Sequence, residues 1–229
     1  MKTSIALCLG SLLVSGCASP LSQVSPSARA EAVPPPAGAP TSCVTIQRGR
    51  TGQVADARIA EAWPNENYGA SEAAFAGVVG KGARRVLIRF GVEEIPRNAR
   101  ITKATITLHR TTNSLAPVTV HRATAAWREG QVTWSSFADG FERKPLMTLR
   151  DDPRPGEDPT VLSFDATELV RLWHDGTEPD HGLVLAQANA STAFATSECA
   201  GIEDRPRLEV CFEVPDEVRS RGFDAGTAP

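Results

Sequence analysis

Alternating hydrophobic and polar residues predict that most of this chain, about residues 43–214, folds as short β-strands. Residues 103–109 alternate in this way, and the same period of two recurs at 118–121 and 207–213. A period of two places the apolar side chains on one face, which is typical of half-buried strands. Because glycine and proline turn signals separate these runs, the pattern predicts an all-β, jelly-roll-like β-sandwich.

One segment, about residues 165–175, follows a helical period instead. Asp165 is a suitable N-cap, Glu168 stands three residues later as in a capping box, and Gly176 is a suitable terminator. The apolar residues between them, Trp173 included, share one face at helical spacing. The sequence therefore predicts one short helix packed on the sandwich.

The N-terminus has the pattern of a targeting segment. The apolar run at 5–14 is shorter than the roughly 20 residues that a membrane-spanning helix needs, so residues 1–16 are predicted to be a signal peptide. Its end resembles a bacterial lipobox, which implies cleavage before Cys17 and acylation of that residue. Ala18, rather than Asp, favours the outer membrane. The alternative is an ordinary secretory signal with an incidental cysteine.

The segments on either side of the predicted domain lack any apolar periodicity. Residues 17–42 carry the lipidated cysteine and are rich in Pro, Ala and Ser, so they are predicted to be a tether between membrane and domain. Residues 215–229 are predicted to be a disordered tail.

Three cysteines remain after the signal peptide and Cys17 are set aside. Cys43 and Cys211 each lie out of phase with the apolar residues of their strands, so they occupy equivalent faces of the first and last strands. Such cysteines can form a disulfide if the two strands are neighbours. We therefore predict a Cys43–Cys211 disulfide and a free Cys199. The wide spacing of the cysteines argues against a zinc site.

Several segments, taken in order, resemble the DNRLRE domain family of secreted bacterial and archaeal proteins over about residues 44–214. These segments are a Pro-x-x-Asn-Tyr-Gly run at 64–69, followed by 85–90, 104–108, 127–134, 164–167, 181–183 and 205–208. The resemblance implies a jelly-roll-like fold. It also implies either carbohydrate binding, as in related modules of polysaccharide-degrading enzymes, or a role in a surface protein.

Composition and motifs narrow the classes of function. The chain has 229 residues, with 24 Lys and Arg against 27 Asp and Glu, which argues against a nucleic-acid partner. It lacks Gly-x-Ser-x-Gly, His-Glu-x-x-His and phosphate-binding glycine motifs, so we expect no enzyme activity. Glu129, between Trp127 and Trp134, is interpreted as a hydrogen-bonding turn residue.

Candidate ligand-binding residues are aromatic or basic. Trp63 and Tyr68 are the aromatic candidates, with loop packing as the alternative, and Arg89 is the basic one. Arg84, Arg85 and Arg89 together would form a basic row if the sheet exposes them, and ordinary solvation is the alternative.

No cofactor is expected apart from a structural Ca²⁺, for which Asp56 and Asn67 are the candidate ligands. Two functions remain open at this point. The first is a membrane-anchored lipoprotein whose non-catalytic domain binds polysaccharide. The second is a structural or adhesive envelope lipoprotein that binds protein partners without affinity for sugar. The sequence leaves the oligomeric state open.

Overall fold

The computed structural model describes residues 41–80, 82–112, 116–150 and 158–215. All of these residues belong to the compact unit Gly38–Pro229. The predictions for the signal peptide, for Cys17 and for most of the tether and tail lie outside the described residues. None of the helices found in the described ranges has the length and apolarity needed to cross a bilayer.

Short strands make up most of the described chain. The strands are β1 (Thr41–Ile46), β2 (Val54–Ala60), β3 (Ala73–Val79), β4 (Gly82–Phe90), β5 (Arg100–His109), β6 (Val118–Arg122), β7 (Met147–Leu149), β8 (Val161–Asp165), β9 (Leu183–Ala186), β10 (Ser191–Ala195) and β11 (Arg207–Glu213). The helices are α1 (Trp134–Phe137) and α2 (Thr167–His174), with a 3₁₀ turn at Ile202–Asp204.

The strands form two antiparallel sheets, which confirms the predicted all-β sandwich. The smaller sheet has the order β1-β11-β5-β8, and the larger has the order β10-β3-β4-β9-β6-β7. Strand β2 joins the larger sheet by pairing along its whole length with β4, from Arg84 to Phe90. The opposite edge of β4 is shared by β3, near Gly82, and by β9, around Leu87. Strand β4 therefore connects three neighbours.

The main core contains the apolar faces of both sheets. Phe90 and Phe194 of the larger sheet are fully buried, as are Ile106 and Leu208 of the smaller one. Each such side chain contributes about 1.5–3 kcal/mol on burial. The alternation that predicted the strands is the alternation of this core, because every second residue of β11, and of β5 from Ala104 to Leu108, faces it.

A second apolar cluster covers the other face of the larger sheet. Leu87 and Val184 supply the sheet side, and Trp127, Phe137 and Phe141 supply the covering segment. This segment includes α1, a one-turn helix that the sequence pattern did not predict. Its first turn is held by hydrogen bonds between Thr133 and Ser136.

Helix α2 begins later than predicted. Ala166, not Asp165, is its N-cap residue, because Asp165 is the last residue of β8. The Asp165 carboxylate still accepts a hydrogen bond from the Thr167 backbone N–H, at 2.7 Å. Glu168 does not close the predicted capping box and instead forms an ion pair with Arg171. The apolar face of the helix is buried as predicted.

The predicted disulfide is confirmed. Cys43 and Cys211 are directly paired residues of β1 and β11, with Cα atoms 4.0 Å apart and sulfur atoms bonded. Cys199 is free, as predicted, and lies half-buried after β10.

Candidate functional site

Five side chains form a row in which aromatic rings and guanidinium groups alternate. We call this row the arginine–aromatic strip, and its members in order are Trp63, Arg84, Phe75, Arg58 and Tyr68. The carbon at the centre of the Arg84 guanidinium lies 5.7 Å from the ring centres of both Trp63 and Phe75. The same carbon of Arg58 lies 5.3 Å from Phe75 and 4.0 Å from Tyr68. These distances are those of cation–π contacts.

Strand pairing brings the strip together from distant parts of the sequence. Arg58 is paired with Val86 and Arg84 with Ala60, so the two arginines are diagonal neighbours on one side of the β2–β4 pair. Strand β3, which carries Phe75, joins β4 next to Arg84. An isolated β-bridge places Tyr68 opposite Arg58.

The strip carries positive charge that no carboxylate balances in the part of the chain that the structure describes. Neither Arg58 nor Arg84 forms an ion pair with a described residue. Burial lowers the pKa of Arg58, and the Arg84 charge lowers it further. Arginine side chains keep their positive charge in proteins near neutral pH. The Trp63 side chain is 49% exposed, which leaves its ring open to a ligand.

Arg89 lies apart from the strip. Side chains alternate along β4, so Arg85 and Arg89 lie on one face of this strand and Arg84 on the other. Arg85 is enclosed between the rings of Trp134 and Phe141, at 4.4 and 4.5 Å. The predicted basic row of Arg84, Arg85 and Arg89 is therefore wrong, because adjacent strand residues face opposite sides.

The surroundings of Arg89 are two neighbouring clefts. One, of about 550 Å³, is lined by Trp127 and Arg128 among others, and a second, of about 450 Å³, also contains Asp180. Burial raises the pKa of Asp180 to about 7, whereas the Arg89 charge acts in the opposite direction. The second cleft is lined by Glu93 and Glu129 as well as by arginines, so acidic and basic side chains share it, in contrast to the strip.

The side chain of Asn67 is occupied by hydrogen bonds. Its amide nitrogen donates to two backbone carbonyls, and its amide oxygen accepts the Gly69 backbone N–H. Asp56 is buried, and one of its carboxylate oxygens accepts the Ser197 backbone N–H at 2.7 Å. Among the described residues, no group of three or more acidic, His or Cys side chains is arranged to hold a metal. Calcium binding by Asp56 and Asn67 stays a prediction.

Glu129 has the hydrogen-bonding role that its position predicted. One carboxylate oxygen accepts the Asp56 backbone N–H at 2.9 Å, and the other forms an ion pair with Arg48 at 2.6 Å. Arg48 also forms an ion pair with Glu198. Glu129 thereby fixes the segment after Trp127 to the start of β2.

Comparison with known proteins adds one finding. The family model described as carbohydrate-binding module family 96 matches residues 50–211, a range that contains the whole arginine–aromatic strip. No curated protein matches the chain.

Proposed function

Since the chain belongs to carbohydrate-binding module family 96, we propose that it binds polysaccharide, without catalysis, at the arginine–aromatic strip. Membership of the family supports carbohydrate binding by the domain. The choice of surface and of ligand charge is our proposal, and it is supported by the geometry of the strip.

A single observation carries the proposal: exposed or half-buried rings alternate with two guanidiniums that have no carboxylate partner in the described chain. An aromatic ring such as Trp63 offers a flat apolar surface on which the apolar face of a sugar can stack. A guanidinium donates two parallel hydrogen bonds to a carboxylate. We therefore infer that the strip prefers polysaccharides with carboxylate groups to neutral ones.

The test compares one acidic polymer with its neutral counterpart. Purified protein is titrated calorimetrically with polygalacturonate and with the same polymer after chemical reduction of its carboxyl groups. We expect tighter binding of the acidic form. The variant Arg84→Gln should weaken that binding at least tenfold, because a charge-assisted hydrogen bond contributes about 1.5–3 kcal/mol.

The matched control is Arg97→Gln, which removes the same charge from an exposed residue outside the strip. It should leave the affinity nearly unchanged. Equal affinity of the two polymers contradicts the inferred ligand charge. If wild-type protein binds no polysaccharide, the result favours the alternative role, a structural or adhesive protein with protein partners.

We further propose that acylated Cys17 anchors the protein in the outer membrane and that residues 17–42 hold the domain away from the bilayer. Support comes from the lipobox-like sequence before Cys17 and from Ala18 after it. Two acyl chains suffice for stable anchoring, since each buried methylene contributes about 0.8 kcal/mol. Mass spectrometry of the mature N-terminus should show an acylated Cys17. Membrane fractionation should show that Cys17→Ser releases the protein. An unmodified Cys17 in the mature protein contradicts the proposal.

A further inference from the structure

We propose that Asn67 is a positioning residue that holds Tyr68 in place for ligand binding; the inference rests on the proposed function. Asn67 precedes Tyr68 in the loop between β2 and β3. Its amide nitrogen donates hydrogen bonds to the backbone carbonyls of Glu129, at 2.7 Å, and Val132, at 2.8 Å. Both carbonyls belong to the segment that covers the outer face of the larger sheet. The loop is thus fastened to a second, distant segment.

Close backbone packing strengthens this attachment. A Cβ atom on Gly69 would lie 2.3 Å from the Glu129 carbonyl oxygen, so the two segments meet at a distance that only glycine allows. The Ser135 backbone N–H also donates to the Pro64 carbonyl, at 2.8 Å. The loop is therefore held at Pro64, at Asn67 and at Gly69, on both sides of Tyr68.

The contacts form a closed circuit that begins and ends on β2. The Asp56 backbone N–H donates to the Glu129 carboxylate, the Glu129 carbonyl accepts from Asn67, and the next residue, Tyr68, pairs with Arg58. Because Asp56 and Arg58 belong to the same strand, the circuit fixes the position of the Tyr68 ring relative to the Arg58 guanidinium. A ring fixed before binding loses less conformational freedom when the ligand arrives.

The chemistry of the attachment requires an amide. Two carbonyl oxygens need two N–H donors, and a carboxylate at position 67 would offer none and would repel both. Asn65, two residues earlier, is exposed and has no hydrogen bond within the described residues. The same substitution at the two positions adds the same charge to the same loop, but only one of them breaks the attachment.

Tyr68 is the single tyrosine of the chain, so it can be observed selectively. Protein labelled with 3-fluorotyrosine gives one ¹⁹F resonance, which reports on the surroundings of this ring without any ligand. We expect Asn67→Asp to shift or broaden the resonance and to weaken polygalacturonate binding at least tenfold. We expect Asn65→Asp to leave the resonance in place and to change the affinity less than threefold.

The two readouts separate the two proposals. If the wild-type protein does not bind polysaccharide, the proposed function fails, and the ¹⁹F comparison still tests the positioning of Tyr68. If Asn67→Asp does not fold, Asn67→Ala against Asn65→Ala gives the same comparison without added charge. An unchanged ¹⁹F resonance in a folded Asn67 variant, or equal losses of affinity at positions 65 and 67, would overturn the inference.

Discussion

Removal of the Cys43–Cys211 disulfide should lower the stability of the domain substantially. The bond joins residues that are 168 positions apart, so it encloses nearly the whole domain in one covalent loop. In the chain-entropy description of the unfolded state, closure of a loop of this length stabilises the folded protein by about 5 kcal/mol at 25 °C.

This free energy converts into a measurable change in melting temperature. For a domain of this size, 1 kcal/mol corresponds to about 2–4 °C. The double variant Cys43→Ser/Cys211→Ser should therefore melt about 10–20 °C below the wild type in differential scanning calorimetry without reductant. Reduction of the wild-type protein should lower its melting temperature to a similar value.

The control is Cys199→Ser, because Cys199 is the free cysteine of the described domain. It should change the melting temperature by only a few degrees, because the side chain is half-buried and forms no covalent bond. A double variant that melts within about 3 °C of the wild type would refute the reasoning. Such a result would mean that the disulfide does not lower the conformational entropy of the unfolded chain by the expected amount.

Two further perturbations test the charge and packing described above. The pKa of Asp180 is raised to about 7 in the folded protein. The carboxyl group therefore binds its proton more tightly in the folded protein than in the unfolded chain. The free energy of unfolding that the protonated Asp180 contributes is lost as pH rises from about 4 through 7. Asp180→Asn keeps the acceptor for the Gly182 N–H. It should remove most of this decline, which is at most about 3 kcal/mol between urea melts at pH 5 and at pH 8. An identical pH dependence of stability in both proteins would contradict the raised pKa. Gly69→Ala should destabilise the domain by about 1–3 kcal/mol, because the added Cβ would clash with the Glu129 carbonyl oxygen. Gly130→Ala is the control, because a Cβ at that position would have no atom within 4 Å. Equal melting temperatures of the two variants would refute the close approach at Gly69.

The features that depend on strand alternation could be predicted from the sequence. The alternation of apolar and polar residues predicts the strands. The disulfide is predicted because Cys43 and Cys211 lie on equivalent faces of their strands, which are neighbours in the sheet. The same rule, applied to β4, would have separated Arg84 from Arg85. Arginines that are adjacent in the sequence of β4 lie on opposite faces of the strand.

The strip itself depends on pairings between distant segments. Arg58 and Phe75 have no distinctive local pattern, and only the pairing of β2 and β3 with β4 brings them beside Arg84. The role of Asn67 is hidden for a similar reason, because its partners are backbone carbonyls more than 60 residues away. The capping pattern predicts the start of α2 one residue too early, because Asp165 accepts a hydrogen bond from the helix while it is the last residue of β8.

The position of β1 determines how the domain responds to tension at its N-terminus. Among the described strands, β1 lies at the edge of the smaller sheet and has β11 as its single partner, so a pull from the N-terminal side would separate these two strands one hydrogen bond at a time. Cys43 stops that separation after Thr41 and Ser42, because its covalent bond passes the force to β11. Strand β11 has a neighbour on each side, and the load is therefore shared across the sheet.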